Sequence, residues 1–209
     1  MSPKKRRIDY WQDPDAPKPT NRKASASVLV RDKAGRLLLL RRPDNDLWTI
    51  PTGAVKRGET VAQAAVRECR EETGLQVEIT GIVGVFSTPD HVIAYVKGDK
   101  IKQVRQPINI CLHARPVGGE LTRTKEAAEV AWVATADLED YDIHPAIRLR
   151  ITHGLSSTEP HIGQRLQLSL PRSRPALRAA ACGGRPRPAT TRCAPGHRPH
   201  PHHQAGRPQ

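Results

Sequence analysis

The stretch from Gly53 to Leu75, GAVKRGETVAQAAVRECREETGL, constrains this chain more than any other, because it predicts a loop that leads into one well-bounded helix. Thr60 is a favourable N-cap residue, and Gln63, three residues later, completes a capping box. Gly74 stands where a left-handed C-terminal cap is expected. The helix is therefore predicted to lie between Thr60 and Gly74.

An acidic face runs along this predicted helix. Glu68, Glu71 and Glu72 stand at positions i, i+3 and i+4, so their side chains share one side of the helix. Like charges at this spacing repel by roughly 1 kcal/mol per close pair in water, and a positive partner is expected to offset that cost. The spacing alone leaves two partners open: the arginines of the same helix, Arg67 and Arg70, or a divalent cation with oxygen ligands.

The whole stretch resembles the Nudix box, G-x5-E-x7-R-E-U-x-E-E-x-G-U, where U is an aliphatic residue. Eight positions match that pattern: Gly53, Glu59, Arg67, Glu68, Glu71, Glu72, Gly74 and Leu75. Cys69 departs from it, since the family usually has Leu, Ile or Val there, but cysteine also behaves as a small buried hydrophobe. The resemblance covers about residues 22–155. It implies an α/β protein with the Nudix fold, a mixed β-sheet sandwiched between helices (α/β/α).

The resemblance also implies a reaction. Nudix enzymes hydrolyse a nucleoside diphosphate linked to another group X, and Mg²⁺ or Mn²⁺ offsets the charge of the pyrophosphate and positions the water. ADP-ribose, NDP-sugars and dinucleotides are the expected substrates. Two alternatives stay open: a MutT-like enzyme that cleaves oxidised nucleoside triphosphates, and a Nudix-derived nucleotide sensor or regulator without catalysis. The complete carboxylate set argues against the last.

Roles for the box residues follow from the resemblance, residue by residue. Glu71 and Glu72 would be direct metal ligands, and Glu68 would be a further ligand or the general base. The main-chain carbonyl of Gly53 would complete part of the metal coordination, because a glycine lets the backbone approach an ion closely.

Four more residues have expected roles. Arg67 would orient the carboxylates, and Glu59 would brace the loop or hold a second metal through water. Members of the family often add a glutamate from outside the box, and Glu126, six residues before Trp132, matches the position of that glutamate in MutT-type enzymes. We expect Glu126 to be an additional ligand or the base, with Glu129 as the second choice. A solvated loop carboxylate is equally open, and so is the choice between Glu68 and Glu126 as the base.

The net charge of +13 lies at the two ends of the chain. Residues 1–24 carry seven Lys or Arg against three Asp, and residues 161–209 carry nine Arg and no acid, whereas residues 25–160 are neutral. This charge distribution favours no specific nucleic acid as a partner, with weak polyanion binding by the C-terminal tail. The resemblance implies a nucleoside diphosphate derivative as the substrate of the central domain. Whether the chain forms a homodimer stays open.

Cysteine use and hydropathy favour a cytoplasmic protein. The four cysteines, at positions 69, 111, 182 and 193, show no spacing typical of a disulfide framework or a metal site. No apolar run approaches the length of a membrane span, and the N-terminus lacks the apolar stretch of a secretory signal.

Three segments are predicted along the chain. Residues 1–21 are expected to form an extended N-terminal arm, held to the domain by Tyr10 and Trp11, and residues 22–158 the Nudix hydrolase domain. Residues 159–209 are rich in Arg, Pro and His and too poor in apolar residues to form a core, so a disordered tail is expected.

Seven strands are predicted in the central segment: 26–30, 36–41, 47–50, 75–86, 92–96, 109–115 and 130–133. A hairpin turn at residues 32–35 is expected to join the first two, and a loop over residues 97–107 to separate the fifth from the sixth. Short helices are expected around residues 136–139 and from 144 to 153. The loops at 87–107 and 116–128 would set the identity of X.

Overall fold

Nine strands, two α-helices and one 3₁₀ helix form between residues 5 and 163, the part of the chain that the computed structural model describes. The strands are β1 (Lys5–Trp11), β2 (Asn21–Val30), β3 (Leu37–Arg41), β4 (Trp48–Thr49), β5 (Thr52–Ala54), β6 (Leu75–Phe86), β7 (His91–Lys97), β8 (Lys100–Gly119) and β9 (Glu129–Val133). The helices are α1 (Val61–Thr73), the 3₁₀ helix (Thr135–Asp140) and α2 (Pro145–Ser156). Within this range no helix is both long and apolar enough to cross a bilayer.

The strands form one six-stranded and one three-stranded sheet. The larger sheet has the order β1-β7-β8-β2-β5, and β6 pairs with a further part of the 20-residue strand β8. β2 and β8 run parallel while the other pairs are antiparallel, so the predicted mixed sheet is confirmed. The smaller sheet has the order β4-β3-β9.

Alternating side chains of β2 and β3 separate two hydrophobic cores. Leu29, Leu37 and Leu39 lie in a core with residues of α2, whereas Val28 and Leu38 lie in a second core with residues of α1. Successive side chains of a strand point to opposite faces, so a run that is apolar at every position is buried on both sides. All of Leu37–Leu40 are fully buried. The predicted arrangement of strands between two helices follows from this.

The hairpin-type turn predicted between β2 and β3 forms, but the pairing of the two strands that a hairpin implies is wrong. Asp32 does make the expected turn, since its carboxylate accepts hydrogen bonds from the backbone N–H groups of Ala34 (2.9 Å) and Arg36 (2.8 Å). The two strands then enter different sheets and share one bridge, between Arg31 and Leu37. The physical reason is the separate pairing of each strand: β2 pairs with β5 and β8, and β3 pairs with β4 and β9.

The predicted loop at residues 97–107 is also wrong. β7 and β8 form a tight hairpin in which Lys97 pairs with Lys100 around Gly98 and Asp99. The sequence hides this strand because Val104 is the one buried residue between positions 100 and 106. Polar side chains on both faces remove the alternation by which a strand is recognised.

The N-terminal arm is a strand of the sheet. β1 pairs with β7 over seven residue pairs, from Lys5 opposite Lys97 to Trp11 opposite His91. The ring of Trp11 lies edge-on to His91, with 6.0 Å between the ring centroids. This pairing brings the side chains of Arg7 and Asp9 to the cavity described below.

At the other end of the described range, residues assigned to the tail pack on the sheet. The backbone of His161 bridges to Gly84 of β6, and its ring stacks on Phe86 with 4.4 Å between the centroids. His161, three residues beyond the predicted boundary at residue 158, thus packs on the sheet. The prediction of disorder beyond residue 163 lies outside the described residues, and the division into three segments stays a prediction.

Both ends of α1 are capped as predicted. The Thr60 hydroxyl accepts from the Gln63 N–H (3.2 Å), and the Gln63 side chain accepts from the Thr60 N–H (2.8 Å). Gly74 has φ of +80°, and a Cβ there would lie 2.4 Å from the carbonyl oxygen of Glu120. The C-cap therefore requires glycine both for its conformation and for its close contact with the β8–β9 loop.

Replacement of Gly74 tests that double requirement. Gly58 is the matched control, since it has φ of +83° but no atom within 4 Å of an added Cβ. Gly58→Ala should cost about 1–2 kcal/mol of unfolding free energy, from the left-handed conformation alone. Gly74→Ala should cost at least about 1 kcal/mol more, because the new methyl group and the carbonyl oxygen of Glu120 must also move apart. Urea unfolding of both variants checks this, and equal losses would show that the contact is irrelevant.

Candidate functional site

Three carboxylates converge beside α1. Glu68 and Glu72 lie one helical turn apart and are 8% and 2% exposed. Glu126, from the loop between β8 and β9, joins them from outside the helix. Each of the three offers one oxygen, and these oxygens lie within 4.8 Å of one another. Three acids in such proximity require a positive charge or protonation.

The loop that carries Glu126 is tied to α1. The Thr124 hydroxyl donates to the carbonyl oxygen of Glu72 (3.3 Å) and accepts from the backbone N–H of Glu126 (3.2 Å). Ala127 is fully buried next to it. Glu126 is therefore exposed at its tip but anchored at its backbone, so its carboxylate stands beside the two helical ones.

The surroundings of Glu72 disfavour the charged form of its carboxyl. Burial raises the pKa of its carboxyl to about 8, and the nearby Glu68 and Glu126 add to the effect. The Thr52 N–H, which donates to the Glu72 carboxylate (2.9 Å), and the charge of Arg42 act in the opposite direction. A bound cation would replace the proton that this environment favours.

Gly53 of β5 leaves the room that Glu68 occupies. A Cβ at this position would lie 1.9 to 2.2 Å from the carboxylate atoms of Glu68, so no other residue fits without displacing that side chain. A pocket of carboxylate oxygens beside closely approaching backbone suits a hard divalent cation. The residues present thus fit Mg²⁺ or Mn²⁺, with Glu68, Glu72 and Glu126 as the side chains that would hold it.

Arg67 contacts three glutamates of the box and offsets part of their charge. Its guanidinium donates to Glu59 (2.5 and 3.0 Å), to Glu68 (2.6 Å) and to Glu71 (2.8 Å), and also to the backbone carbonyl of Ala54 (3.1 Å). The hydrogen bonds from Arg67 lower the pKa of the Glu59 carboxyl to about 2. One arginine thereby links the box loop, the helix and β5.

Glu68, Glu72 and Glu126 line a cavity of about 280 Å³ that extends well beyond these three carboxylates. Gly53 lies on β5 and Asp9 lies on β1, the two outer strands of the order β1-β7-β8-β2-β5, and both residues line this cavity. Trp48 also lines it and meets Tyr141 edge-on, with 4.9 Å between the ring centroids. Arg42 lines it as well and forms an ion pair with Asp44 (2.8 Å).

A second polar group lies around Asp9. Arg7 donates to both carboxylate oxygens of Asp9 (2.6 and 2.7 Å), and Nε2 of His91 lies 3.1 Å from one of them. Burial alone would raise the pKa of Asp9, but Arg7 and His91 hold it well below its usual range. His144 stacks on His91, with 5.1 Å between the ring centroids, and burial lowers its pKa to about 4.

Comparison with known proteins assigns the family. The family model of the NUDIX domain matches residues 21–153, well over half of the chain. The chain belongs to the Nudix family. It is a Nudix hydrolase, with the pyrophosphohydrolase activity of that family, and Nudix hydrolases use divalent metal ions.

The relatives differ in the names they carry. A MutT-like protein of Streptomyces ambofaciens is 30% identical over 138 residues, which cover 66% of this chain and 79% of the relative. An ADP-ribose pyrophosphatase of Methanocaldococcus jannaschii is 41% identical over 75 residues, 32% of this chain and 44% of the relative, so that match spans less than half of its length. A solved Nudix hydrolase of Nitrosomonas europaea has the same fold, with a TM-score of 0.55 and 22% identity over 70% of this chain and 80% of its own.

The Nudix box residues are divided between two environments. Glu68, Glu72 and Glu126 lie together with Gly53 beside them, as the sequence predicts. Glu59 and Glu71 instead contact Arg67, and Glu71 lies 3.9 Å from the ammonium of Lys56. Their expected roles as metal ligands stay predictions. Of the two partners that the spacing left open, arginine contacts part of the acidic face, and Glu68 and Glu72 form with Glu126 a group that could hold a cation.

Sequence reasoning missed the second polar group. Arg7, Asp9 and His144 are far apart along the chain and carry no motif. Pairing of β1 with β7, together with the start of α2, assembles them. A basic N-terminal segment is usually solvated, so nothing in its sequence indicated that Arg7 and Asp9 would line a cavity.

Gly53→Ala tests the close approach of β5 to α1. The new methyl group must displace the Glu68 carboxylate, so Mg²⁺ affinity should fall at least about tenfold while the circular dichroism spectrum is unchanged. Gly81→Ala is the control, because its nearest contact would be 3.9 Å from the added Cβ. Calorimetric titration with Mg²⁺ measures the difference, and wild-type affinity in Gly53→Ala would contradict the role given to Gly53.

The lowered pKa of His144 predicts a pH dependence of stability. A histidine that is neutral in the fold but protonated in the unfolded chain stabilises the fold above about pH 6.5, and this contribution is lost as the pH falls towards 4. Arg7, Arg150 and His91 disfavour its charged form, while Asp9 favours it. His144→Asn keeps a side chain that can cap α2 but does not titrate. The decline of the melting temperature between pH 7 and 4 should be smaller in this variant than in the wild type, and parallel curves would refute the assignment.

Proposed function

We propose that this Nudix enzyme hydrolyses the pyrophosphate bond of a nucleoside diphosphate linked to a second group X, with Mg²⁺ or Mn²⁺ bound by Glu68, Glu72 and Glu126. One observation carries the proposal: the carboxylate cluster opens into a cavity that extends across the sheet to a separate polar group on β1, β7 and α2. A substrate with groups on both sides of its pyrophosphate suits such a cavity better than one that ends in phosphates.

Each carboxylate has a distinct part in this proposal. The divalent cation, when bound, supplies positive charge against the phosphoryl oxygens and favours ionised water. Glu72 is held by the Thr52 N–H and stays buried, which suits a fixed ligand. The Glu68 carboxylate is oriented by Arg67 through a 2.6 Å hydrogen bond. Arg67 is a positioning residue in this proposal, because it holds carboxylates and contacts no reacting atom.

Glu126 is the better placed general base. One of its carboxylate oxygens would hold the ion in this proposal, and the carboxylate accepts no hydrogen bond from any described residue, so the other oxygen can take the proton of an attacking water. The Glu68 carboxylate is instead engaged by Arg67. The backbone anchor at Thr124 holds Glu126 beside the other two acids. Glu129 pairs with Arg41 at 2.9 Å, which makes it the weaker choice.

A MutT-like reaction on nucleoside triphosphates is the second candidate. The Streptomyces relative, whose match covers 79% of its length, carries the name MutT-like protein. That reaction would use the same three carboxylates but release pyrophosphate. Product analysis therefore separates the two, and a nucleotide sensor without catalysis would bind nucleotide and release no product.

Substitution of Glu72 tests the metal site. Glu72→Gln removes a ligand charge but keeps the shape, and it replaces a buried acid whose pKa is raised, so the fold should be at least as stable as the wild type. Turnover should fall at least about 100-fold, and Mg²⁺ affinity with it. Glu71→Gln is the matched control on the same helix and should lose less than about tenfold. Equal losses would move Glu71 into the metal site, and undiminished turnover after chelation would refute metal dependence.

A substrate panel tests the reaction itself. ADP-ribose, a UDP-sugar, a dinucleoside polyphosphate and an oxidised deoxynucleoside triphosphate are incubated with Mg²⁺ or Mn²⁺, and the products are identified by chromatography. The proposal predicts a nucleoside monophosphate and the phosphorylated X group. Release of pyrophosphate from the triphosphate alone would favour the MutT-like reaction instead.

A further inference from the structure

Two arginine nitrogens in the cavity beside the carboxylate cluster have no hydrogen-bond partner among the described residues. Among the described residues, Nε of Arg105 and Nε of Arg150 are the buried side-chain polar atoms that make no hydrogen bond. Both residues line the cavity that contains the carboxylate cluster. Buried donors are almost always satisfied, so two exceptions in one cavity indicate a group that these arginines bind in the functional complex.

Arg150 is the more unusual of the two. It lies on α2 and is 3% exposed, yet it forms no ion pair with any described residue. Its Cζ lies 5.8 Å from the centre of the Phe86 ring. Burial lowers its pKa to about 10, which still leaves it charged at neutral pH. A buried charge without a counter-ion is costly, and an anion entering the cavity would offset that cost.

The charges around Arg150 favour an anion over a cation. Arg7 and one carboxylate, Asp9, are the side chains of β1 whose charges act on Arg150. Arg105 lies in the same row of the sheet, since it pairs with Ile93, which pairs with Asp9. Both oxygens of Asp9 already accept from Arg7. Burial lowers the pKa of His91 and His144, so both are neutral near pH 7.

The same group can be examined as a metal site. Asp9, His91 and His144 each offer one ligand atom, and these atoms lie within 4.8 Å of one another. Nδ1 of His144, however, accepts from the Ala146 N–H at 3.2 Å, which leaves Nε2 as its one free nitrogen. A divalent cation would also stand among the unpaired arginine charges, whereas guanidinium groups match the oxygens of phosphate and carboxylate.

We propose that Arg150, with Arg105, binds an anionic group carried by X, a phosphate or a carboxylate separate from the scissile pyrophosphate. This inference rests on the proposed function, since it assumes that X lies in the cavity beyond the carboxylate cluster. The sheet order supports the placement: Arg105 lies on β8, two strands from β5, which is about 10 Å at the usual inter-strand spacing. The preferred substrate is then an NDP-X whose X group is itself charged.

Anion binding is tested first without any substrate. Inorganic phosphate is titrated into metal-free wild type, Arg150→Met and Arg115→Met at constant ionic strength, and the melting temperature is recorded. Arg115 is the control because its side chain is 63% exposed and pairs with Glu78 away from the cavity. Phosphate should raise the melting temperature of the wild type and of Arg115→Met but not that of Arg150→Met.

The variant itself adds a second readout. Arg150→Met removes an unpaired buried charge, so without phosphate it should be at least as stable as the wild type. A large loss of stability would show that Arg150 serves the fold, and would overturn the proposal. Arg105→Met is an independent check at the second arginine of the site: it should also lose the response to phosphate, and a response equal to that of the wild type would overturn the part given to Arg105.

Matched substrates then test the assignment to X. UDP-glucuronate differs from UDP-glucose by a carboxylate in place of a hydroxymethyl group, so kcat/KM with Mg²⁺ should be at least about tenfold higher for the acid, the value of a charge-assisted hydrogen bond. The ratio should approach one in Arg150→Met, while Arg150→Lys, which keeps the charge, should retain part of it. If neither sugar is hydrolysed, the ratio is taken from their inhibition constants against the best substrate of the panel.

The outcomes separate this inference from the proposed function. A ratio near one in the wild type, with phosphate still stabilising it, would overturn the assignment to X and leave a site for a free anion. No stabilisation by phosphate and no preference would overturn the anion site altogether. Failure of the whole panel to be hydrolysed would refute the proposed function, while the phosphate titration would still decide whether Arg150 binds an anion.

Discussion

Repulsion between acidic side chains on one helix is the constraint around which this structure is arranged. Five glutamates, four from the box and one from a distant loop, lie close to one another, and their charges must be offset. Arg67 offsets part of that charge by contacting three of them at once. Arg67 does not contact Glu72 or Glu126, so the charges of these two carboxylates are the ones that a bound cation would offset. Gly53 leaves the room that the Glu68 carboxylate occupies, and the pKa of Glu72 is raised first by burial and then by the nearby Glu68 and Glu126.

The cavity depends on elements with quite different origins in the chain. The box supplies Glu68 and Glu72 and the β8–β9 loop supplies Glu126, whereas β1, the hairpin β7–β8 and the start of α2 supply the other wall. The two sides of the cavity carry different chemical groups. Carboxylate oxygens line one side, and guanidinium and imidazole groups line the other. A hydrolase of this design can keep the phosphate chemistry fixed while the wall determines which group X is accepted.

The sequence predicts the local parts of this site well and the assembled parts poorly. Caps, helix limits and the acidic face of α1 depend on neighbouring residues, so Thr60, Gly74 and Glu68 can be identified without a structure. Glu126 needed the resemblance to MutT-type enzymes, because only the tie between Thr124 and α1 brings its loop to the helix. Arg150 could not be predicted, because an arginine on an amphipathic helix is usually exposed, and its burial arises from the packing of α2 on the sheet.

The strands show the same division. Leu37–Leu40 is apolar at every position and therefore predicts a strand between two layers, as found. The first part of β8 is polar on both faces, so its hairpin with β7 was invisible to hydropathy. The error at β2 and β3 has another cause: a turn fixes the direction of the chain over a few residues, but not the partners that each strand finds afterwards.

The attachment of β1 has a consequence for how the molecule can be handled. This strand is joined to the domain by residues 12–20, of which most are exposed, and it is held by backbone pairing with β7. One wall of the cavity is therefore joined to the rest of the domain by an exposed connection, comparable to a peptide kept at high local concentration by its tether. Cleavage within residues 12–20 would leave Arg7 and Asp9 held in that wall by the pairing of β1 with β7 alone in the backbone.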